Sequence, residues 1–114
     1  MASAEILDVE GSLARFGGDK QLFLDMTTML LEDAPDLFSQ LHAGVRLGDS
    51  AVVEAKAHAI KGVLANCGGN RAARVAQSLE DAAHRGDLSS APELAQTLQA
   101  ELDILTTTIR AYQS

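Results

Sequence analysis

An all-α fold, an antiparallel four-helix bundle with a short additional N-terminal helix, follows from three features of the sequence. Apolar residues recur at helical spacing along most of the chain, and no strand-like alternation persists. Glycine-rich punctuation at Gly17-Gly18, Gly48-Asp49, Gly68-Gly69 and Gly86-Asp87 cuts the chain into segments of helix length. Hydrophobic residues make up 46% but aromatics only 4%, so the core must be built from Leu, Val, Ile, Ala and Met, and Leu and Ala favour helix. A length of 114 residues suits one domain, residues 1–114, with a core large enough to need no staples.

A short opening helix is predicted over Val9 to Phe16. Asp19 is placed to cap the second helix, whose stripe reads Leu22, Met26, Met29 and Leu30. Pro35 interrupts it, because proline lacks the amide hydrogen and crowds the preceding turn. The helix then kinks or restarts, and Leu37, Phe38, Leu41 and Val45 carry an apolar face onward. The third helix runs from about Ser50 to Cys67 on the stripe Val53, Ala57, Ile60, Leu64 and Cys67, and Gly68-Gly69 ends it. Asn70 is read as the cap of a fourth helix that buries Ala72, Val75, Ala76, Leu79 and Ala83. The fifth opens on Ser90-Ala91-Pro92-Glu93, a capping-box pattern, and buries Leu94, Leu98, Leu102, Leu105, Ile109 and Tyr112. Long amphipathic segments joined by short turns pack as antiparallel neighbours.

Charge and residue counts exclude several classes. The net charge is -7, from 16 acidic and 9 basic residues, and no Lys/Arg run appears; such a surface repels phosphate backbones, so no nucleic-acid partner is expected. One cysteine, Cys67, and three scattered histidines make no metal set, and Cys67 completes the apolar stripe as a small buried hydrophobe. The opening residues lack the basic and apolar regions of a leader, and no apolar run reaches the roughly 20 residues that span a bilayer. A cytoplasmic protein with no membrane association is expected.

One residue breaks the core pattern. With 53, 57, 60, 64 and 67 turned inward, Glu54, His58, Lys61, Gly62 and Ala65 share a neighbouring outward face. Lys61 and Gly62 stand one turn from the imidazole, at i+3 and i+4. Glycine in a helix interior costs about 1 kcal/mol relative to alanine. Its use at position 62 is clearance, since a partner can approach the ring where no side chain projects. Lys61 brings positive charge to a place where a phosphoryl group, carrying roughly 1.5 to 2 negative charges, would be held. A neutral imidazole is a competent nucleophile near neutral pH. If the turn between the third and fourth helices centres on Gly69, residues equidistant from it face each other, which sets His58 near Glu80. Gln77 or Glu80 is then expected to orient His58 or tether Lys61, against the alternative that both are ordinary solvated residues. His42 and His84 stand near helix ends and read as caps.

The run Ala57-His58-Ala59-Ile60-Lys61-Gly62, followed by Ala65-Asn66-Cys67-Gly68-Gly69, resembles the signature of histidine phosphotransfer (HPt) domains. The likeness extends upstream to Ala14-Arg15-Phe16-Gly17-Gly18-Asp19 and downstream to Ala76-Gln77-Ser78-Leu79-Glu80. Ala59 departs from a common Ser or Thr, and Val63-Leu64 from a pair of small residues. The resemblance implies that His58 is the phosphoacceptor and Lys61 the charge stabiliser. Gly62, Ala65 and Glu54 would lie where a partner docks, with Gln77 and Glu80 behind them. It implies a phosphoryl group that arrives from a receiver-domain aspartate and leaves to another. The partners would be response-regulator receiver domains or a hybrid sensor histidine kinase. The protein would be a monomeric carrier with no cofactor of its own, the Mg²⁺ being supplied by the receiver.

The chain carries no Gly-rich phosphate loop with its Lys-Ser/Thr, so it is not expected to phosphorylate itself from ATP. The alternative is a helical adaptor that binds a response regulator without phosphotransfer. A metal or haem bundle would need inward His and Glu pairs on facing helices, and an outward His58 does not fit it.

Overall fold

A computed structural model describes residues 5–114, and the first four residues of the stretch read for a leader lie outside it. Five helices with described bounds follow one another among the described residues: α1 Val9–Arg15, α2 Lys20–Leu47, α3 Ser50–Asn66, α4 Asn70–His84 and α5 Ala91–Gln113. The described residues contain no strand. Helices α2 to α5 form the antiparallel bundle, and α1 lies across the turn between α3 and α4.

Three of the helices start on an aspartate. Asp8, Asp19 and Asp49 each accept a hydrogen bond from the amide three residues on, those of Gly11, Leu22 and Val52. Helix α4 does not use Asn70 in this way. Its N-cap is Gly69, without a side-chain bond, and Asn70 is already helical. Gly69 is closely packed, since a Cβ there would lie 2.8 Å from Leu105 Cδ2. The capping box at Ser90 does not form either. Ser90 has helical backbone angles and its side chain makes no cap bond. Asp87 organises the turn instead, accepting from the Ser89 amide at 3.1 Å and from the Ser89 hydroxyl at 2.7 Å.

Helix α2 runs unbroken through Pro35, so the chain does not restart there. Leu30 and Ala34 before the proline, and Leu41 and Gly44 after it, are all buried. Burial along both halves outweighs a proline cost of about 3 kcal/mol. The buried row of this helix is Phe23, Thr27, Leu30, Ala34, Leu41 and Gly44, so Leu30 and Leu41 are buried as expected, whereas the first turns bury Phe23 and Thr27 instead of Leu22 and Met29. Leu22 is 41% exposed and Met29 50%. Two apolar rows one residue apart compete here. The larger Phe23 wins the interior, where its ring meets Tyr112 edge-on at 5.6 Å. Thr27 can be buried beside it because its hydroxyl donates to the Leu24 carbonyl.

The stripes expected for α3, α4 and α5 are largely buried, with Val53, Ala57, Ile60, Leu64, Cys67, Leu79, Leu98 and Leu105 at 1% exposure or less. Cys67 donates its thiol to the Met26 carbonyl, and burial pushes its pKa up to about 11. Helix α1 is held by Asp8, whose amide donates to the Gly68 carbonyl at 2.9 Å. Gly68 has a φ of +78°, and a Cβ there would lie 2.5 Å from Ser12 Oγ and 2.6 Å from the Asp8 carbonyl oxygen. Glycine is therefore required at 68 on two counts.

Candidate functional site

His58 lies near the middle of α3 with 69% of its side chain exposed. Val53, Ala57, Ile60 and Leu64 turn inward and anchor the helix, which leaves the 54–58–62 row facing water. Gly62 is exposed, and a Cβ built on it would meet nothing within 4 Å. No internal contact explains its glycine, so the clearance it provides is directed outward.

The hairpin of α3 and α4 has the register that a turn centred on Gly69 dictates. Three pairs of side chains meet across it, each equidistant from that glycine. His58 Nδ1 lies 2.9 Å from Glu80 Oε2. Lys61 Nζ donates to Gln77 Oε1 at 3.0 Å. His84 Nδ1 lies 2.9 Å from Glu54 Oε2. Glu80 joins two of the rungs, because its Oε1 also forms an ion pair with Lys61 Nζ at 2.6 Å. Both members of that pair are largely covered, with 25% of the Lys61 side chain and 18% of Glu80 exposed.

This network fixes a tautomer. A carboxylate can only accept, so Nδ1 of His58 carries the hydrogen and Nε2 presents its lone pair to solvent. The Glu80 carboxyl is held below its ordinary range, first by contact with Lys61 and then by the His58 hydrogen bond, against an opposing desolvation. The ammonium of Lys61 is thus neutralised at rest by Glu80. A shallow open groove beside the ring is lined by Ala51, Glu54, Ala55, His58 and Glu80.

Gln77 and Glu80 are therefore both in contact with the residues they were expected to orient or tether. Glu54 stands on the exposed row beside His58, engaged by His84, whose ring meets a side chain across the hairpin rather than a carbonyl at its helix end. His42 packs against Phe38, 6.0 Å between ring centres, and lines a cleft of about 500 Å³ between α2 and α5, the seam opposite His58. Ala65 is half-buried, and its carbonyl accepts from Arg15 of α1 at 2.7 Å. Sequence reasoning did not connect Arg15 to this face. The partners lie fifty residues apart and meet only because α1 folds back over Gly68. Among the described residues no cluster of His, Cys, Asp or Glu is arranged to hold a metal ion.

A four-helix bundle that displays an imidazole in mid-helix, with a cation and a bare glycine position one turn on and its tautomer set by a carboxylate of the facing helix, defines a class of histidine-bearing carrier domains. The Hpt domain family model matches residues 25–108, from the first turns of α2 to the last turns of α5, and the chain belongs to that family. Histidine-containing phosphotransfer protein B from Pseudomonas aeruginosa has a similar structure, with a TM-score of 0.82 at 27% identity over 94% of this chain and 93% of that one. The HPT domain of a sensor hybrid histidine kinase from Shewanella superposes with a TM-score of 0.85 over 96% and 94% of the two chains; at 21% identity it speaks for the fold. No curated protein sequence matches the chain. None of the helices is long and apolar enough to cross a membrane, among the described residues.

Proposed function

We propose that this protein is a phosphorelay carrier that takes a phosphoryl group from a receiver-domain aspartate onto His58 Nε2 and passes it to a second receiver. The observation that carries the reading is the exposed mid-helix imidazole of His58, its Nδ1 on Glu80, with Lys61 on the same carboxylate and the open Gly62 position one turn on. In the forward step the Nε2 lone pair attacks phosphorus and the N–P bond forms. The P–O bond to the receiver aspartate breaks, and its electron pair leaves with the aspartate carboxylate. The Nδ1 hydrogen stays in place, and Glu80 stabilises the positive charge that the ring acquires. Lys61 lies one turn away, where a turn of its side chain from Glu80 toward the new phosphate would offset added negative charge. Gly62 and Ala65 give the receiver a low surface to approach, with Glu54 at its edge. The Mg²⁺ belongs to the receiver, and no nucleotide site of its own is needed. Partners of this kind, whether free receivers or those of a hybrid kinase, are cytoplasmic, and a monomer suffices for the exchange.

The test is transfer of label from a phosphorylated receiver of the source genome. Wild-type chain should acquire acid-labile, base-stable phosphate, and His58→Gln should acquire none while keeping its helical circular dichroism and melting temperature. Tight receiver binding by the wild type without any label would favour the adaptor reading instead.

A further inference from the structure

The geometry points to Arg15 as a docking residue: a guanidinium carried by α1 onto the His58 face of α3, where it engages the acidic rim of the receiver. The inference rests on the phosphorelay reading and adds to it a residue outside the bundle. Three observations place the charge. The Arg15 guanidinium donates to the Ala65 carbonyl at 2.7 Å, so its position is set by α3 as well as by α1. Ala65 is seven residues past His58 on the same helix, about two turns or roughly 10 Å along the axis, and therefore on the same face. Helix α1 is itself fixed there, because the Asp8 amide holds the Gly68 carbonyl and Ser12 is buried against Gly68.

The charge is also available. A guanidinium has five N–H groups, and one is used on Ala65. No carboxylate among the described residues pairs with Arg15, whereas Lys61 is paired with Glu80 and Arg71 with Glu101. In a molecule of net charge -7, this places a cation that no carboxylate holds two helical turns along α3 from the reacting ring. Its complement is a surface of carboxylates. Any site that holds Mg²⁺ against an aspartyl phosphate is built from them, since Mg²⁺ is bound through carboxylate oxygens. A cation two helical turns along α3 from the nucleophile falls toward the rim of such a pocket, where charge guides encounter and register rather than the chemical step.

The alternative role is structural. Arg15 satisfies one of the last carbonyls of α3, and a cation there favours the helix dipole. The experiment separates the two with Arg15→Gln, which removes the charge, and Arg15→Lys, which keeps it. Each is assayed with the phosphorylated receiver that transfers fastest to the wild type, and separately with phosphoramidate, a small donor that needs no docking. Arg15→Gln should raise the half-saturating receiver concentration about fivefold, the scale of one exposed charge pair, and flatten its dependence on salt. The maximal rate, the phosphoramidate rate and the melting temperature should stay at wild-type values, and Arg15→Lys should recover most of the loss. Unchanged half-saturation in Arg15→Gln overturns the proposal. So does equal loss in the two variants, or slower labelling by phosphoramidate, since each assigns Arg15 to the helix end or the ring. Failure of the wild type to accept phosphate from any receiver would instead overturn the phosphorelay reading.

Discussion

At the scale of single residues, the chemistry of the site turns on Glu80, the one side chain that touches both the proposed nucleophile and its neighbouring cation. Replacing it with Gln leaves a side chain of the same size but removes the charge that selects the Nδ1–H tautomer. Glu80→Gln is predicted to slow transfer from a receiver by on the order of tenfold, the scale found when carboxylates that orient metal-bound histidines are lost. Rapid-quench kinetics would measure it, and a wild-type rate would remove Glu80 from the mechanism. The same carboxyl has a pH signature. Its pKa lies below the ordinary 4.5, with Lys61 the leading cause. A carboxyl lowered in the fold contributes fully above its ordinary value and loses that contribution as pH falls through the lowered one. The stability difference between wild type and Glu80→Gln, from urea unfolding, should therefore be level near neutrality and close as the pH drops below about 4.5. A gap that widens in acid would contradict the assignment.

At the scale of helices, two glycines make opposite predictions. Gly62 faces open space, so Gly62→Ala should stabilise the protein by about 1 kcal/mol, the helix-interior difference between the two residues. It should nevertheless slow transfer from a receiver while leaving phosphoramidate labelling of His58 unchanged. A variant that gains stability and keeps the full receiver rate would show that clearance is not the reason for glycine. Gly68→Ala should lose at least about 1–2 kcal/mol from the left-handed backbone alone, before the collision with Ser12 and Asp8 is counted. Hydrogen exchange in α1 should rise first, because the Asp8–Gly68 bond is its tether. Protection of α1 equal to wild type would contradict that order. These elements also show what sequence alone makes legible. The outward placement of His58 follows from a single clean stripe in α3, and the meeting of His58 with Glu80 follows from the symmetry of a tight turn about Gly69. The face of α2 was legible only in part: Leu30 and Leu41 were read as buried and are, but Leu22-Met26 and Phe23-Thr27 are adjacent rows that both lead to Leu30, and a threonine disguised the buried one. The Arg15–Ala65 contact left no local signal at all, since it depends on where α1 comes to rest.

At the scale of the whole molecule, Cys67 reports on the bundle as a unit. It lies at the C-terminal end of α3, fully buried, with its thiol turned onto the backbone of α2 at Met26. No movement of the His58 face alone exposes it, so an alkylating reagent must wait for the helices to separate. Labelling by iodoacetamide in the native state is predicted to track global unfolding, its rate rising with urea in step with the loss of helical signal. Fast labelling at low urea would mean instead that α2 parts from α3 on its own. The thiol further predicts a weakness in base. Its pKa is raised from 9.0 to about 11, by burial against a smaller opposing effect of Arg15, so folding disfavours the thiolate. Above 9.0 the unfolded chain has given up a proton that the folded chain retains, and stability must fall with rising pH until about 11, where both states are ionised. Cys67→Ala leaves a small apolar group in the same place and removes this term, so its stability should fall less steeply than that of the wild type across that interval. Parallel curves for the two proteins would mean that the alkaline loss comes from other groups and that burial of this thiol does not set it.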